Sequence, residues 1–207
     1  MSPIEDALGR SRVLPVVTVD DAAVVDELCA ALLGGGIACI EITFRTDAAL
    51  AAIERAAEVD GMHVGAGTVL TVEQAHSAAR AGASFAVAPG TDDDVVSACA
   101  DAELPFFPGI ATPSELGHAQ RLGCSTVKVF PASTLGGPAF LRAVAATFPH
   151  MRFIPTGGVD ADSLAAYLAV PSVLACGGSW ICEPALVRER RFDEITRRAR
   201  AAVEAAA

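Results

Sequence analysis

The sequence predicts an α/β protein built as a single (β/α)8 barrel of the TIM type. Eight short apolar runs alternate with Ala-rich segments of helical spacing along the whole chain. Residues suited to starting and ending helices punctuate that alternation. The first run, 13–19, leads into Asp20-Asp21 and not into a Gly-rich nucleotide fingerprint, which argues against a doubly wound open sheet. The 207 residues suit a barrel with few insertions, since about 200 residues or more are usual for this architecture. One domain over 1–207 is expected, with 1–12 a short lead-in segment.

The strands are expected at 13–19, 38–43, 63–66, 85–88, 105–107, 126–130, 152–155 and 173–176. Helices are expected at 24–33, 48–57, 72–80, 93–100, 114–122, 140–147 and 161–168, with a final amphipathic helix over 192–203. Asp20-Asp21, Thr46-Asp47, Thr71, Thr91-Asp92 and Thr112-Pro113 stand where N-caps belong. Glycines at 34–36, 61, 82 and 123 follow helices, as C′ positions favour.

Hydrophobic residues make up 52% of the chain and charged residues 19%, which implies a well-buried interior and not disorder. The formal net charge of -10 disfavours nucleic acid and anionic membranes as partners. No segment has the length and apolarity of a membrane span, and no secretory leader is read at the N-terminus. The six cysteines form no CxxC pair and read as small buried hydrophobes in a reducing compartment. A cytoplasmic protein is therefore expected. The four histidines are scattered, so neither a metal site nor another cofactor is expected.

Lys128 is the only lysine in the chain and lies in the strand pattern Thr126-Val127-Lys128-Val129-Phe130. Side chains alternate faces along a strand, so Val127 and Val129 facing the helices would turn Lys128 inward. A strand-end lysine reaching water is the plain alternative. An amine is nucleophilic only when neutral, and enclosure or a neighbouring cation such as an arginine favours that form. A neutral amine attacks a ketone to form an imine. Glu41 and Arg45 share one parity in Ile40-Glu41-Ile42-Thr43-Phe44-Arg45, which puts Glu41 inside and Arg45 at the C-terminal mouth. A structural ion pair is the alternative for Glu41. Thr156-Gly157-Gly158 and Gly177-Gly178-Ser179 follow the last two expected strands. Loops there often bind phosphate through backbone N–H groups and a helix N-terminus. Thr68 adds a hydroxyl at the same rim. Pro89-Gly90 and Pro108-Gly109 also fit simple turns.

Six motifs occur in order: IEITFRT at 40–46, GAGTVL at 65–70, APG at 88–90, VKVFPA at 127–132, PTGGV at 155–159 and GGSW at 177–180. On these the chain resembles the 2-keto-3-deoxy-6-phosphogluconate (KDPG) and 4-hydroxy-2-oxoglutarate (KHG) aldolases over nearly its full length. The resemblance implies a barrel, usually trimeric, that cleaves KDPG to pyruvate and glyceraldehyde 3-phosphate by a class I mechanism. It implies a Schiff base on Lys128 and a proton shuttle at Glu41. Arg45 and Thr68 would bind the substrate carboxylate, and Thr156 would orient the substrate. Phosphate would be held by Gly157, Gly158, Gly178 and Ser179, and Pro89 joins the substrate-binding candidates through the APG motif. Ser133 departs from members with an acidic residue after FPA. Activity mainly on KHG is the near alternative; an isomerase barrel or a non-catalytic phosphate-sugar-binding barrel is the distant one.

Overall fold

In the computed structural model, which describes residues 2–207, the apolar runs form parallel strands and most segments between them form helices. Strands β1 (Val13–Val17), β2 (Cys39–Thr43), β3 (His63–Gly67), β4 (Phe85–Val87) and β5 (Phe106–Phe107) pair in sequence order. Further along the chain, β6 (Gly109–Ile110), β7 (Thr126–Val129) and β8 (Arg152–Pro155) form a second parallel sheet. The last strand, β9 (Cys176–Gly178), returns to the free side of β1, so the first sheet has six strands in the order β5-β4-β3-β2-β1-β9.

The fifth expected strand, 105–107, forms as β5, and the sequence did not announce the further segment β6 that follows it. Proline has no N–H for a strand ladder, and Pro108 separates β5 from β6. Its carbonyl still accepts from the Lys128 amide at 2.8 Å. On the other side, isolated parallel bridges join Phe153 to Val173 and Thr156 to Gly177. The eighth expected strand, 173–176, is displaced, because β9 begins at Cys176 and takes in both glycines assigned to the following loop. Close approach explains the shift: a Cβ on Gly177 would overlap the Thr156 hydroxyl.

The helices are α1 (Pro3–Ser11), α2 (Val25–Gly34), α3 (Ala49–Ala57), α4 (Val72–Arg80), α5 (Asp93–Asp101), α6 (Pro113–Arg121), α7 (Gly137–Thr147), α8 (Leu164–Leu168), α9 (Pro184–Arg188) and α10 (Phe192–Ala206). Thr71, Asp92 and Thr112 cap α4, α5 and α6 as expected, each accepting from the amide three residues on. Asp21 instead caps a 3-10 turn at 22–24 ahead of α2. Thr46 caps nothing; its hydroxyl donates to the Val19 carbonyl at 2.5 Å and ties the start of the β2–α3 loop to the end of β1. α8 has five residues, shorter than the expected 161–168, because reciprocal bonds between Asp160 and Ser163 close a turn first.

Buried apolar residues form two clusters. The larger contains Ile40, Ile42, Val127 and Val129 with the inner faces of the helices. The smaller contains Leu14, Cys39, Phe85, Val87, Phe107 and Ile154, which have the opposite parity on their strands. The lead-in expected over 1–12 is a helix, α1, and its Ile4, Ala7 and Leu8 join this smaller cluster. α1 therefore closes the N-terminal end of the curled sheets. Ser2 and Glu5 form its capping box, with Pro3 in the first turn.

Candidate active site

The inward face of β7 presents Thr126 and then Lys128; that of β2 presents Cys39, Glu41 and Thr43. Lys128 is 3% exposed and Glu41 is fully enclosed. The Lys128 Nζ donates to Glu41 Oε1 at 3.2 Å and lies 5.6 Å from the centre of the Phe130 ring. The charged neighbour in contact with the amine is thus a carboxylate and not the arginine allowed for by the sequence. Glu41 Oε2 is buried with no hydrogen-bond partner among the described residues. Leaving such an oxygen unpaired costs about 1–3 kcal/mol, so the site holds an acceptor with unused capacity. Gly67, at the end of β3, makes room for this side chain, since a Cβ there would come within 2.5 Å of Glu41 Oε1.

Toward the C-terminal ends of the strands lies a cavity of about 300 Å3. It brings together Arg45, Thr156, Gly157, Gly158, Gly178 and Ser179, all candidates from the sequence. Lys128 and Glu41 are not in its wall; Phe130, two residues along β7 from the lysine, is. Arg45 is exposed at the rim. The amides of Gly158 and Ser179 donate to no acceptor among the described residues, whereas the Thr156–Gly177 bridge turns the Gly157 amide toward the Gly177 carbonyl. Gly157 and Gly158 have φ of 93° and 75°, a left-handed backbone that favours glycine. These amides lie in loops and not in a helix's first turn as expected, because α8 starts only at Leu164 and α9 at Pro184.

Thr68 and Pro89 do not line the cavity. Thr68 directly follows Gly67 and is held at φ 59°, a costly conformation for a β-branched residue. The backbone of Pro89 packs against Gly109, where a Cβ would overlap its carbonyl. Ser133 sits against Gly158, and a Cβ on that glycine would overlap the serine side chain. The sequence reading missed Thr18, Phe130 and Cys182 in the wall. Thr18 was accessible to it through its shared parity with Leu14 and Val16. Cys182 carried no signal, and burial pushes its thiol up, away from the nucleophilic thiolate.

The family model described as KDPG and KHG aldolase matches residues 4–198. A 2-dehydro-3-deoxy-phosphogluconate aldolase of Treponema pallidum is 46% identical over 95% of this chain and 94% of its own. The protein of that name from Pseudomonas aeruginosa is 42% identical over 97% of this chain and 92% of its own. The crystal structure of a KDPG aldolase from Legionella pneumophila, with pyruvate captured as a covalent carbinolamine, superposes with a TM-score of 0.92. It is 35% identical and covers 97% of this chain and 98% of its own. With a lone enclosed lysine against a carboxylate and a match from end to end, the chain belongs to the KDPG and KHG aldolase family.

Proposed function

We propose that this protein cleaves KDPG reversibly to pyruvate and glyceraldehyde 3-phosphate, with Lys128 forming a Schiff base at C2 and Glu41 moving the protons. It is a carbon–carbon lyase of class I, and the observation that carries the assignment of residues is the enclosed Lys128–Glu41 contact at 3.2 Å. Transfer of one proton from Nζ to Oε1 leaves a neutral amine beside a neutral acid. The pair thus presents its nucleophile without creating a net buried charge.

The amine adds to the C2 ketone, and Glu41 returns the proton as the carbinolamine loses water to form an iminium. Glu41 then accepts the C4 hydroxyl proton, a role suited to its unpartnered Oε2. The C3–C4 electron pair moves into the iminium, glyceraldehyde 3-phosphate leaves, and an enamine remains. Protonation at C3 and hydrolysis release pyruvate and the free lysine. The capture of pyruvate as a covalent carbinolamine in the Legionella relative supports this course over an isomerase or a binding barrel.

The unpaired amides of Gly158 and Ser179, in a cavity shared with Gly157, Gly178, Thr156 and Arg45, suit a phosphate-bearing substrate. Arg45 and Thr68 are assigned to the substrate carboxylate, Thr156 to substrate orientation, and Pro89 to the wall of the bound state. A main activity on KHG is not favoured, since the Treponema pallidum and Pseudomonas aeruginosa relatives carry the phosphogluconate name alone.

The architecture that fits is one closed (β/α)8 barrel of a single domain, supported by the Pro108 junction and the two bridges beside β9. A homotrimer follows from the resemblance, and light scattering at three times the 21.1 kDa chain mass is its test. No described helix is long and apolar enough to cross a membrane. The six free cysteines support a cytoplasmic setting.

Borohydride reduction in the presence of pyruvate tests the chemistry. One reduced pyruvate adduct on the peptide containing Lys128 is expected. An intact mass with no adduct, from protein that cleaves KDPG, would remove the Schiff base from the mechanism.

A further inference from the structure

We propose that Thr18 is a specificity-determining residue that accepts a hydrogen bond from the C5 hydroxyl of KDPG and thereby favours KDPG over KHG. The proposal rests on the aldolase reading above. Thr18 lies one residue past β1 and shares the inward parity of Leu14 and Val16. It lines the same cavity as Arg45 and the glycine loops. β1 stands between β2, which leads to Arg45, and β9, which leads to Ser179. Val16 is in register with Glu41, so Thr18 and Thr43 form the next inward layer toward the mouth. That layer lies between the Lys128–Glu41 level, where C2 reacts, and the glycine loops assigned to phosphate, which places C5 of KDPG beside it.

The hydrogen bonds fix the polarity of Thr18. The Thr43 hydroxyl donates to the Val17 carbonyl at 3.2 Å, and a hydroxyl has one hydrogen to give. The Thr18–Thr43 contact of 3.1 Å therefore has Thr18 as its donor. With its hydrogen engaged, Thr18 meets a ligand through lone pairs only. It accepts from a hydroxyl and opposes a carboxylate oxygen, which has no hydrogen to offer. At C5, KDPG carries a hydroxyl and KHG a carboxylate. A hydrogen-bonding site discriminates in this way because a mismatched partner leaves polar groups unpaired.

The test is Thr18→Val, which keeps the branched shape and removes the hydroxyl, beside Thr18→Ser, which restores it. kcat/KM is measured for KDPG and KHG, and wild-type protein is trapped with pyruvate and borohydride. Thr18→Val is expected to lower the KDPG to KHG ratio by about five- to tenfold, the scale of one neutral hydrogen bond. Thr18→Ser should recover most of it. If wild type traps pyruvate but the ratio does not move, or both substrates decline in parallel, the role of Thr18 is overturned and the aldolase reading stands. Failure of wild type to trap pyruvate overturns both.

Discussion

Two glutamates are buried against the inner face of β7, one at each end. At the end closed by α1, Glu5 accepts from the Thr126 hydroxyl at 2.5 Å and from the Ser2 amide at 2.8 Å, and Arg152 approaches to 3.5 Å. Two residues along the same strand, Glu41 has one bond from Lys128 and an oxygen with no partner. Both carboxylates carry the same desolvation problem. One is solved by saturation, which fixes a helix in place. The other is left half solved, which is how a site keeps a base available for a substrate. The difference separates a glutamate that holds the fold from the one proposed to do chemistry, and each can be broken without the other.

The largest effect is expected at Lys128. Lys128→Met keeps much of the side-chain volume but has no amine to form an imine. KDPG cleavage, followed by pyruvate release, should fall by more than the roughly 10^4-fold upper range of acid–base help. Borohydride should trap no pyruvate on the folded variant. Near-normal cleavage would show that the enclosed amine is only a counterion.

Glu41→Gln retains shape and one hydrogen-bonding oxygen but cannot take up a proton. kcat should fall by about 10²–10⁴-fold. Pyruvate should still be trapped on Lys128, more slowly than in wild type. Unchanged kcat in a steady-state assay would assign proton transfer to another group and make the half-satisfied carboxylate a packing feature.

Glu5→Gln addresses the saturated end, and here stability is the readout. Loss of the charged acceptor should cost about 1–3 kcal/mol at neutral pH, seen as a lower melting temperature with kcat retained. Burial raises the Glu5 carboxyl, but hydrogen bonds from Thr126 and Ser2 and the Arg152 charge outweigh it, so it sits below the ordinary 4.5. A carboxyl lowered on folding adds stability above its unfolded value and loses it as pH falls through the folded one. The gap between wild type and Glu5→Gln should be constant near neutrality and narrow below about pH 4.5. A gap that widens with acid would contradict the saturated carboxylate.

These two ends were not equally readable in the sequence. The parity of Ile40-Glu41-Ile42 and Val127-Lys128-Val129 against apolar flanks placed both catalytic candidates inward, because a period of two is fixed by the backbone. The sequence reading made the sealed end only a lead-in segment, although Ser2-Pro3 followed by Glu5 is a capping box and Ile4, Ala7 and Leu8 have helical spacing. Helical spacing shows that the segment has an apolar face but not which end of the sheets that face covers. The glycines of β9 misled because glycine disfavours strands, and only the nearby Thr156 side chain explains them. Pro108 likewise gave a turn signal inside a continuous path from β5 to β6. Such contacts join residues far apart in sequence, and local pattern does not carry them.

The smallest effect is expected at an exposed pair with shorter bonds than those of Glu41. Arg55 grips Asp26 through two hydrogen bonds of 2.6 and 2.7 Å. Its guanidinium lowers the Asp26 carboxyl, chiefly through those bonds. Yet the side chains are 44% and 55% exposed, so water replaces whatever a mutation removes. Asp26→Asn should therefore shift the melting temperature several-fold less than Glu5→Gln, and added salt should shrink the shift further. If Asp26→Asn melts as low as Glu5→Gln in the same buffer, bond number and not enclosure governs these carboxylates. The contrast drawn between the two ends of β7 would then lose its physical basis, because the unpaired oxygen of Glu41 would no longer be the costly feature that marks a functional site.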